Sequence, residues 1–406
     1  MKKSVFTFII LFFVQFAAGQ FSDNYKIKGE YFRGTIIKHD KYLENLAKGP
    51  VTGGEIAVEW QSIGKWQKHF NYPYLGVGAV FLNLGNPDML GYAFALYPYI
   101  NFPIVRNDMF SLNVKPGAGL SYVTKTFSDF RTAVMNNTLA YEKSNAAIGS
   151  HLNVYFSAGV NLEVPLSEKI SFTTDFSWNH LSNGMIKAPN SGINMLNAFV
   201  GLKYIPRYSA RQDYYLRYYY APDVPKDISV ELTASGGVRQ RYYRDGGTGT
   251  GKTFPIASLA VGVYKPITNT YRMGVGGDFF YDGIYTNGLA SGYKREYIAV
   301  DELKYKLRFG VSWQNELIIG RLIAGVHAGI YLYNPFKNLE PIDQYRLNGS
   351  LPKGLIYSYK ADEEVGWFYT RFSAKYMLNK HLYGAIGLKT HLQKAEFVEW
   401  GLGYRF

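Results

Sequence analysis

Short segments in which apolar and polar residues alternate recur along nearly the whole chain, and this pattern excludes most folds. Sixteen segments of strand length share it. They begin near Glu30, Ile56, Leu75, Tyr92, Phe110, Leu152, Lys169, Leu196, Ile228, Ile256, Tyr271, Tyr305, Leu322, Trp367, Leu382 and Glu396. Beyond the first residues of the chain, no stretch approaches the roughly 18 to 20 apolar residues of a membrane-spanning helix. The alternation therefore predicts an all-β protein with antiparallel strands.

Aromatic content and connection lengths indicate that the strands form a transmembrane barrel. The chain has 36 Tyr and 27 Phe, and such barrels place aromatic side chains in girdles at both membrane interfaces. If both termini lie in the periplasm, several external connections are long, namely 129–149, 285–303 and 334–364. Several periplasmic connections are short, namely 165–168, 266–269 and 378–380. Long external loops with short periplasmic turns are typical of outer-membrane barrels.

The two ends of the chain support export to the outer membrane. Lys2 and Lys3 precede an apolar run that ends in small residues, so residues 1–19 are interpreted as a signal peptide cleaved after Gly19. Phe406, two residues after Tyr404, resembles the terminal signature that the outer-membrane assembly machinery recognises. The chain has no cysteine, which excludes disulfides, thiolate metal sites, a cysteine nucleophile and a lipoprotein anchor.

A long polar connection at the midpoint divides the sixteen strands into two sets of eight. We expect an eight-strand half at residues 20–206, a linker at 207–226 and a second half at 227–406. The tetrapeptides Asn179-His180-Leu181-Ser182 and Thr390-His391-Leu392-Gln393 stand before the last strand of each half, which suggests duplication. The strands could close as one wide barrel or as two eight-stranded repeats.

The seventh segment, residues 170–182, carries the residues with the clearest chemistry. Alternation directs its even positions to lipid and its odd positions to the lumen. His180 and Ser182 therefore follow Trp178 on the lipid-facing side, at the extracellular end. Their Cα atoms lie about 6.5 Å apart, so the imidazole could take the serine proton, as activation of a nucleophile requires. The ordinary alternative is a strand that turns polar where it leaves the membrane.

The residues that follow favour catalysis. The sequence His180-Leu181-Ser182-Asn183-Gly184, then Lys187 and Pro189-Asn190-Ser191-Gly192-Ile193-Asn194, resembles the signature of the PagL-type lipid A 3-O-deacylases. That family consists of eight-stranded outer-membrane barrels that hydrolyse an acyl ester of lipid A, and the resemblance covers the first half of the mature chain. It implies no cofactor or metal. It also implies roles for individual residues: Ser182 as nucleophile, His180 as general base and Asn183 as an oxyanion donor. Trp178, Lys187 and Asn190 are expected to contact the substrate, and the ordinary alternative for Lys187 is an exposed loop lysine.

One position departs from the family pattern. The third member of the family's triad is a Glu fourteen residues after the His, and this chain has Asn194 there. Alternation still places Asn194 outward beside His180, and an Asn can orient an imidazole, although it stabilises imidazolium less than a carboxylate does. Asp175 should face the lumen, which disfavours it as a substitute. The site could be slower, could borrow an acid from a loop, or could be inactive; we expect activity.

The formal charge of +13 suggests either binding to the phosphates of lipopolysaccharide or soluble loops. Export excludes nucleic acid as the partner. Two other functions compete with deacylation: a channel whose selectivity depends on the lumen residues Lys203, Lys389 and Arg405, and a lipopolysaccharide-binding barrel with a decayed site.

Two further motifs are interpreted as structural. Residues 246–253 satisfy the P-loop pattern, but residues 254–263 continue as a strand, so a glycine-rich hairpin loop is predicted. His391 repeats the histidine of the motif, but Gln393 replaces the serine, and alternation sets His391 opposite an apolar row. The second half is therefore predicted to be non-catalytic.

Overall fold

The computed structural model describes residues 25–38, 41–61, 66–136, 138–139, 144–206, 227–241, 252–284, 302–335, 367–391 and 394–406. The predicted signal peptide at 1–19, the predicted linker at 207–226 and most of the glycine-rich loop at 246–253 lie outside these residues. The described strands form two closed antiparallel barrels of eight strands each. The all-β prediction is confirmed, and of its two versions the structure adopts the pair of eight-stranded barrels.

The first barrel closes through its first and last strands. Its strands are β1 (Tyr25–Ile36), β2 (Val51–Gln61), β3 (Tyr74–Asn83), β4 (Tyr92–Arg106), β5 (Ser111–Val123), β6 (Leu152–Pro165), β7 (Ile170–Ser182) and β8 (Ile193–Tyr204). Each strand pairs with its neighbours in sequence, and β1 pairs with β8 from Ile27 opposite Tyr204 to Ile36 opposite Met195. This closure removes the exposed strand edges that would otherwise promote aggregation.

The second barrel repeats the arrangement. Its strands are β9 (Ser229–Arg241), β10 (Lys252–Pro266), β11 (Tyr271–Asp282), β12 (Leu307–Ile319), β13 (Leu322–Tyr333), β14 (Phe368–Met377), β15 (Leu382–His391) and β16 (Lys394–Arg405). β16 pairs with β9 to close it. Each of the sixteen predicted segments is a strand, and the largest differences in starting point are in β1 and β2.

Both barrels have short connections at one end, here called the turn end, and longer connections at the other, here called the loop end. β6 and β7 are joined by residues 166–169 at the turn end, whereas residues 124–151 join β5 to β6 at the loop end. The helices are short: α1 (Lys41–Leu46), α2 (Phe127–Met135), α3 (Leu303–Lys306) and a 3₁₀ turn at Gln67–Phe70. Among the described residues, no helix is long and apolar enough to cross a membrane.

Paired charges fill the lumen of the first barrel. Lys28 Nζ lies 2.6 Å from Glu55, and Lys203 Nζ lies 2.9 Å from Glu59. Lys115 contacts the carboxylate of Asp175. These side chains are buried, so each charge depends on its partner for the stabilisation that water would otherwise give. Asp175 is therefore a lumen residue, as alternation predicts.

The second lumen is filled in the same way. Arg371 Nη1 lies 3.0 Å from Asp278, and Lys375 Nζ lies 2.8 Å from Glu231. Two of the basic residues predicted to line a channel contact acidic residues in this lumen. Lys389 contacts Glu396, and Arg405 contacts Glu231. Lys203, in the first barrel, is likewise paired. An eight-stranded barrel has room for its own side chains and little else.

The two barrels pack side by side. At the turn end, the outward-facing Trp60, Leu75 and Ile100 of the first barrel share an apolar cluster with Ile319 of the second. At the loop end, the backbone N–H of Gln240 in β9 donates to the carbonyl oxygen of Met185, which follows β7, over 2.9 Å. Contacts at both ends fix the orientation of one barrel against the other.

Candidate active site

Strand β7 carries the candidate residues on its outward face. The odd positions along β7 are buried in the lumen, whereas Phe176 and Trp178 are exposed. His180 continues this outward row, and its ring stacks on Trp178 with centroids 5.6 Å apart. Ser182 ends the strand at the loop end and is 8 % exposed. The strand thus places an imidazole and a hydroxyl on one side, above an apolar wall.

Asn194 lies directly opposite His180 in the β7–β8 pair. Asn194 Oδ1 is 2.7 Å from His180 Nδ1. A carboxamide oxygen only accepts hydrogen bonds, so this contact places the imidazole proton on Nδ1. Nε2 then carries the lone pair and can act as a base. The Asn therefore sets the tautomer of the histidine, as the acidic residue of a triad does.

The Ser182 hydroxyl accepts two hydrogen bonds. The backbone N–H of Gly184 donates to Oγ over 3.1 Å, and Asn190 Nδ2 donates over 2.8 Å. Because a hydroxyl oxygen has two lone pairs, these donors occupy both acceptor positions. The hydroxyl hydrogen is left as the group that Ser182 can give to a base, and His180 is the imidazole on the same face of the strand.

Asn190 is oriented by its other contact. The backbone N–H of Asn183 donates to Asn190 Oδ1 over 3.2 Å. Since an N–H cannot accept, this bond requires the oxygen of the Asn190 amide to face Asn183 and its nitrogen to face Ser182. The amide group of Asn190 is thus held with its donors directed at the hydroxyl.

The Asn183 side chain braces the turn after Ser182. Asn183 Nδ2 donates to Ser150 Oγ and to the carbonyl oxygen of Lys187, each over 2.9 Å, and Asn183 Oδ1 accepts from the Lys187 backbone N–H over 3.3 Å. Both amide hydrogens are therefore used, one within the loop and one in the bond to the β5–β6 connection. The resemblance implies an oxyanion donor at Asn183, and Asn190 is a predicted substrate contact, whereas in the structure the Asn190 amide is the one that reaches the hydroxyl.

Two glycines shape this connection. Gly184 has φ +61° and Gly192 has φ +73°, a region that side chains with a Cβ rarely adopt. A Cβ on Gly192 would lie 2.7 Å from His180 Cε1, so glycine lets the backbone pack directly against the imidazole. The motif contained both glycines, but a linear sequence does not show which contact each one permits.

Residues 147–149 of the β5–β6 connection pack against the loop that follows Ser182. The Gly192 N–H donates to the carbonyl oxygen of Ala147 over 3.0 Å, and both Ala147 and Ile148 are fully buried. Gly149 lies so close to the backbone at Pro189 that a Cβ there would be 2.4 Å from the Pro189 oxygen. The sequence predicts only an external loop for this segment, because its contacts are made with residues distant in sequence.

The remaining predicted residues lie as follows. Lys187 is exposed beside the site. His391 in the second barrel is buried, faces the lumen and contacts Glu396; its orientation agrees with the prediction from alternation. Gln393 lies outside the described residues. No described His–Ser pair on the outer wall of the second barrel repeats the arrangement at β7.

The fold and these contacts define a closed β-barrel with a Ser, a His and an Asn grouped on its outer wall. The family model described as lipid A 3-O-deacylase (PagL) matches residues 52–203, and the one described as acyloxyacyl hydrolase, C-terminal domain (PagL_C), matches residues 228–345 and 353–406. The chain therefore belongs to the PagL family of lipid A deacylases, which are hydrolases, and it carries the family's C-terminal domain as its second half.

Solved structures with similar barrels have low identity to the chain. Neisserial surface protein A is 7 % identical with a TM-score of 0.29, covering 45 % of this chain and 97 % of its own. The outer membrane enzyme PagL is 15 % identical with a TM-score of 0.28, covering 43 % and 97 %. A mutant porin of Rh. blastica is 9 % identical with a TM-score of 0.19, covering 94 % and 99 %. No curated protein matches the chain.

Proposed function

We propose that this protein is an outer-membrane serine esterase that removes an ester-linked acyl chain from lipid A by 3-O-deacylation. The observation that carries the proposal is the orientation of one histidine. Asn194 accepts from His180 Nδ1, which leaves Nε2 as a base on the same outward face as the Ser182 hydroxyl. The family match supplies the substrate class.

In the first half of the reaction, Ser182 Oγ attacks the ester carbonyl carbon while His180 Nε2 takes the hydroxyl proton. As the Oγ–carbon bond forms, the Gly184 N–H and the Asn190 amide, which donate to Oγ before the reaction, transfer to the adjacent carbonyl oxygen and stabilise the negative charge that develops there. The tetrahedral intermediate then collapses. The sugar oxygen leaves with the proton from Nε2, and the acyl chain remains on Ser182 as an ester.

In the second half, a water molecule attacks the acyl-serine carbonyl and gives its proton to His180 Nε2. The same two donors stabilise the second oxyanion. Collapse of this intermediate returns the proton to Ser182 Oγ and releases the free fatty acid. His180 is thus alternately base and acid, and Asn194 holds the ring in one orientation throughout.

The outer surface of the barrel supports a membrane location. Below His180, the outward rows of β7 and β8 expose Phe176, Val200 and Leu202, each about half or more accessible. A continuous apolar wall of this size on a water-soluble monomer would be unusual, and lipid is its natural environment. We propose that the loop end faces the outer leaflet after cleavage of residues 1–19, and that 207–226 links the two halves.

Lipopolysaccharide is the proposed partner, because a site at the loop end of a barrel in the outer membrane would lie near the level where ester-linked acyl chains meet phosphorylated sugars. The exposed Lys187 beside the site is proposed to contact a phosphate or carbonyl, and Trp178 to contact an acyl chain. The net charge of +13 favours such an anionic partner. The C-terminal Phe406 is the proposed signal for the outer-membrane assembly machinery.

Filled lumens argue against the channel alternative. The candidate selectivity residues Lys203, Lys389 and Arg405 all contact acidic side chains. A water-filled pore would require a wider barrel than either of these eight-stranded ones. An inactive lipopolysaccharide-binding barrel is the alternative that the following experiment tests.

The test is the Ser182→Ala variant, with mass spectrometry of lipid A extracted from cells that express each form. We expect the wild type to produce lipid A lacking one acyl chain and Ser182→Ala to leave lipid A intact, with equal protein in the membrane. The matched control is Ser177→Ala in the same strand, because Ser177 faces the lumen and bonds to Asn179. Acyl loss that continues in Ser182→Ala would reject the assignment.

A further inference from the structure

The turn that follows Ser182 touches the second barrel. A Cβ built on Gly184 would lie 2.2 Å from Val398 Cγ2 and 3.7 Å from Leu388 Cδ1. The next residue, Met185, accepts a backbone hydrogen bond from Gln240 over 2.9 Å. The first barrel's candidate site is therefore in contact with side chains and backbone of the second.

The contacting residues of the second barrel belong to three adjacent strands. β15 pairs with β16 and β16 pairs with β9, so Leu388, Val398 and Gln240 lie on one continuous wall. Val398 stands between the buried Phe397 and Glu399, which places Val398 on the outward side of its strand. A side chain branched at Cβ has few rotamers, so Val398 cannot readily change its conformation to make room for a neighbouring atom.

Gly184 connects this wall to the nucleophile. Its N–H donates to Ser182 Oγ over 3.1 Å, while its Cα faces Val398 at a distance that leaves no room for a Cβ. The position of the amide hydrogen is thus set by two restraints, the bond to the hydroxyl and the packing against the second barrel. The Gln240–Met185 bond holds the following peptide in place.

A second contact between the barrels, at their turn end, keeps the wall at Val398 in place against the active-site turn. Gly320, in the turn between β12 and β13, packs against Trp66, and a Cβ there would lie 2.7 Å from Trp66 Cδ1. Trp60 and Leu75 are buried with Ile319 in the same region. Because the barrels are joined at both ends, the wall at Val398 cannot swing away from the active-site turn without breaking the apolar cluster.

We propose that the second barrel is a positioning element of the catalytic site: Val398, Leu388 and Gln240 hold the turn at residues 184–185 so that the Gly184 N–H stays beside Ser182 Oγ, next to the carbonyl oxygen on which the oxyanion develops. This inference rests on the proposed esterase function. Donors that stabilise an oxyanion must be fixed before reaction, and a displacement of about 1 Å can cost a hundredfold in rate. The second half thereby acquires a role in catalysis without a nucleophile of its own.

A steric double-mutant cycle tests the proposal. Gly184→Ala should lower kcat by about a hundredfold or more with KM nearly unchanged, because the Cβ displaces the donor. Val398→Ala alone should lower kcat several-fold. In the double variant, the smaller side chain makes room for the new Cβ, so we expect kcat at least about tenfold above Gly184→Ala, a strong departure from additivity.

The matched control is Gly192→Ala, with and without Val398→Ala. Gly192 has a similar positive φ, but its Cβ would meet His180 and not the second barrel. Val398→Ala should therefore fail to restore Gly192→Ala. If Val398→Ala does not improve Gly184→Ala, or improves both glycine variants equally, positioning by the second barrel is refuted while the Ser182 assignment stands.

A disulfide cross-link between the two barrels tests their contact without relying on enzyme activity, and so separates this inference from the proposed function. The chain has no cysteine, so Met185→Cys with Gln240→Cys introduces a single pair, joined in the structure by a backbone hydrogen bond. Oxidation should give an internal disulfide, seen as a mobility shift after denaturation that each single variant lacks. Absence of the cross-link in folded protein would refute the contact. Cross-linking without Ser182-dependent hydrolysis would refute the esterase, and with it the positioning role.

Discussion

Replacing Asn194 by Asp tests whether the departure from the family's acidic residue limits the rate. Asn and Asp have the same shape, so Asn194→Asp keeps an oxygen near His180 Nδ1, now 2.7 Å away. The only intended change is a negative charge beside the imidazole. In the proposed acyl transfer that imidazole becomes positively charged, and a carboxylate stabilises imidazolium more than a neutral amide does.

The magnitude follows from the type of hydrogen bond. A neutral hydrogen bond contributes about 0.5–1.5 kcal/mol net, and one to a charged group about 1.5–3 kcal/mol. The difference of about 1–1.5 kcal/mol applies chiefly when His180 is charged, in the transition state. Since 1.36 kcal/mol corresponds to a tenfold rate change, kcat should rise about five- to fifteen-fold. Asn194→Ala removes the acceptor and should lower kcat, because Nδ1 is no longer held as the donor.

The assay is release of fatty acid from purified lipid A in detergent micelles, with kcat and KM measured separately. The control is Ser182→Ala combined with Asn194→Asp, which should remain inactive and so exclude a new carboxylate-dependent reaction. The reasoning is refuted if Asn194→Asp and Asn194→Ala both have the wild-type kcat, because the residue would then have no influence on the imidazole.

Two further changes test the oxyanion donors and the lumen. Asn190→Ala should lower kcat about 10²- to 10³-fold with little change in KM, measured in the same micelle assay; a rise in KM alone would instead indicate substrate binding. Lys203→Met should lower the free energy of unfolding by about 3–5 kcal/mol, because Glu59 and Glu163 lose a fully buried partner. Urea unfolding in detergent measures this, and Lys26→Met, nearer the rim, should cost less; equal losses would contradict the burial argument.

The strands could be predicted from sequence because their signal is local. Side chains that alternate between lipid and lumen produce a two-residue period within each strand, and β7 shows it from Ile170 to Trp178. The limits of strands were less predictable. β1 begins at Tyr25, five residues before the predicted start: the alternation continues through these residues, with Tyr25 and Ile27 exposed on the outer face and Lys28 among lumen carboxylates.

The closure of the strands could not be predicted in the same way. Sixteen antiparallel strands in sequence order are compatible with one barrel or two, since the neighbour-to-neighbour pairings are almost identical. The distinction rests on two pairings, β1 with β8 and β9 with β16. These pairings join residues that are distant in sequence, and strand periodicity has no information about them.

The candidate site also combines features that the sequence could predict with features that it could not. The facing of His180, Ser182 and Asn194 follows from alternation alone, and the structure places all three on the outward side. The different uses of Asn183 and Asn190 could not be derived, because both lie in a loop without a period. Their contacts depend on how that loop folds over residues 144–150, which belong to another connection.

The proposed role of the second barrel can be understood from what the first barrel cannot provide by itself. An eight-stranded barrel filled by paired charges has no interior space for a lipid, so a lipid-modifying site must lie on its outer wall. A site on a convex wall is open on one side, and the turn that carries the proposed oxyanion donor would lack lateral support. The contact of Val398 with Gly184 supplies that support from a neighbouring wall. If the proposed site is catalytic, fusion of two barrels gives its turn a supporting wall on one side, a support that most enzymes obtain from the sides of a cleft.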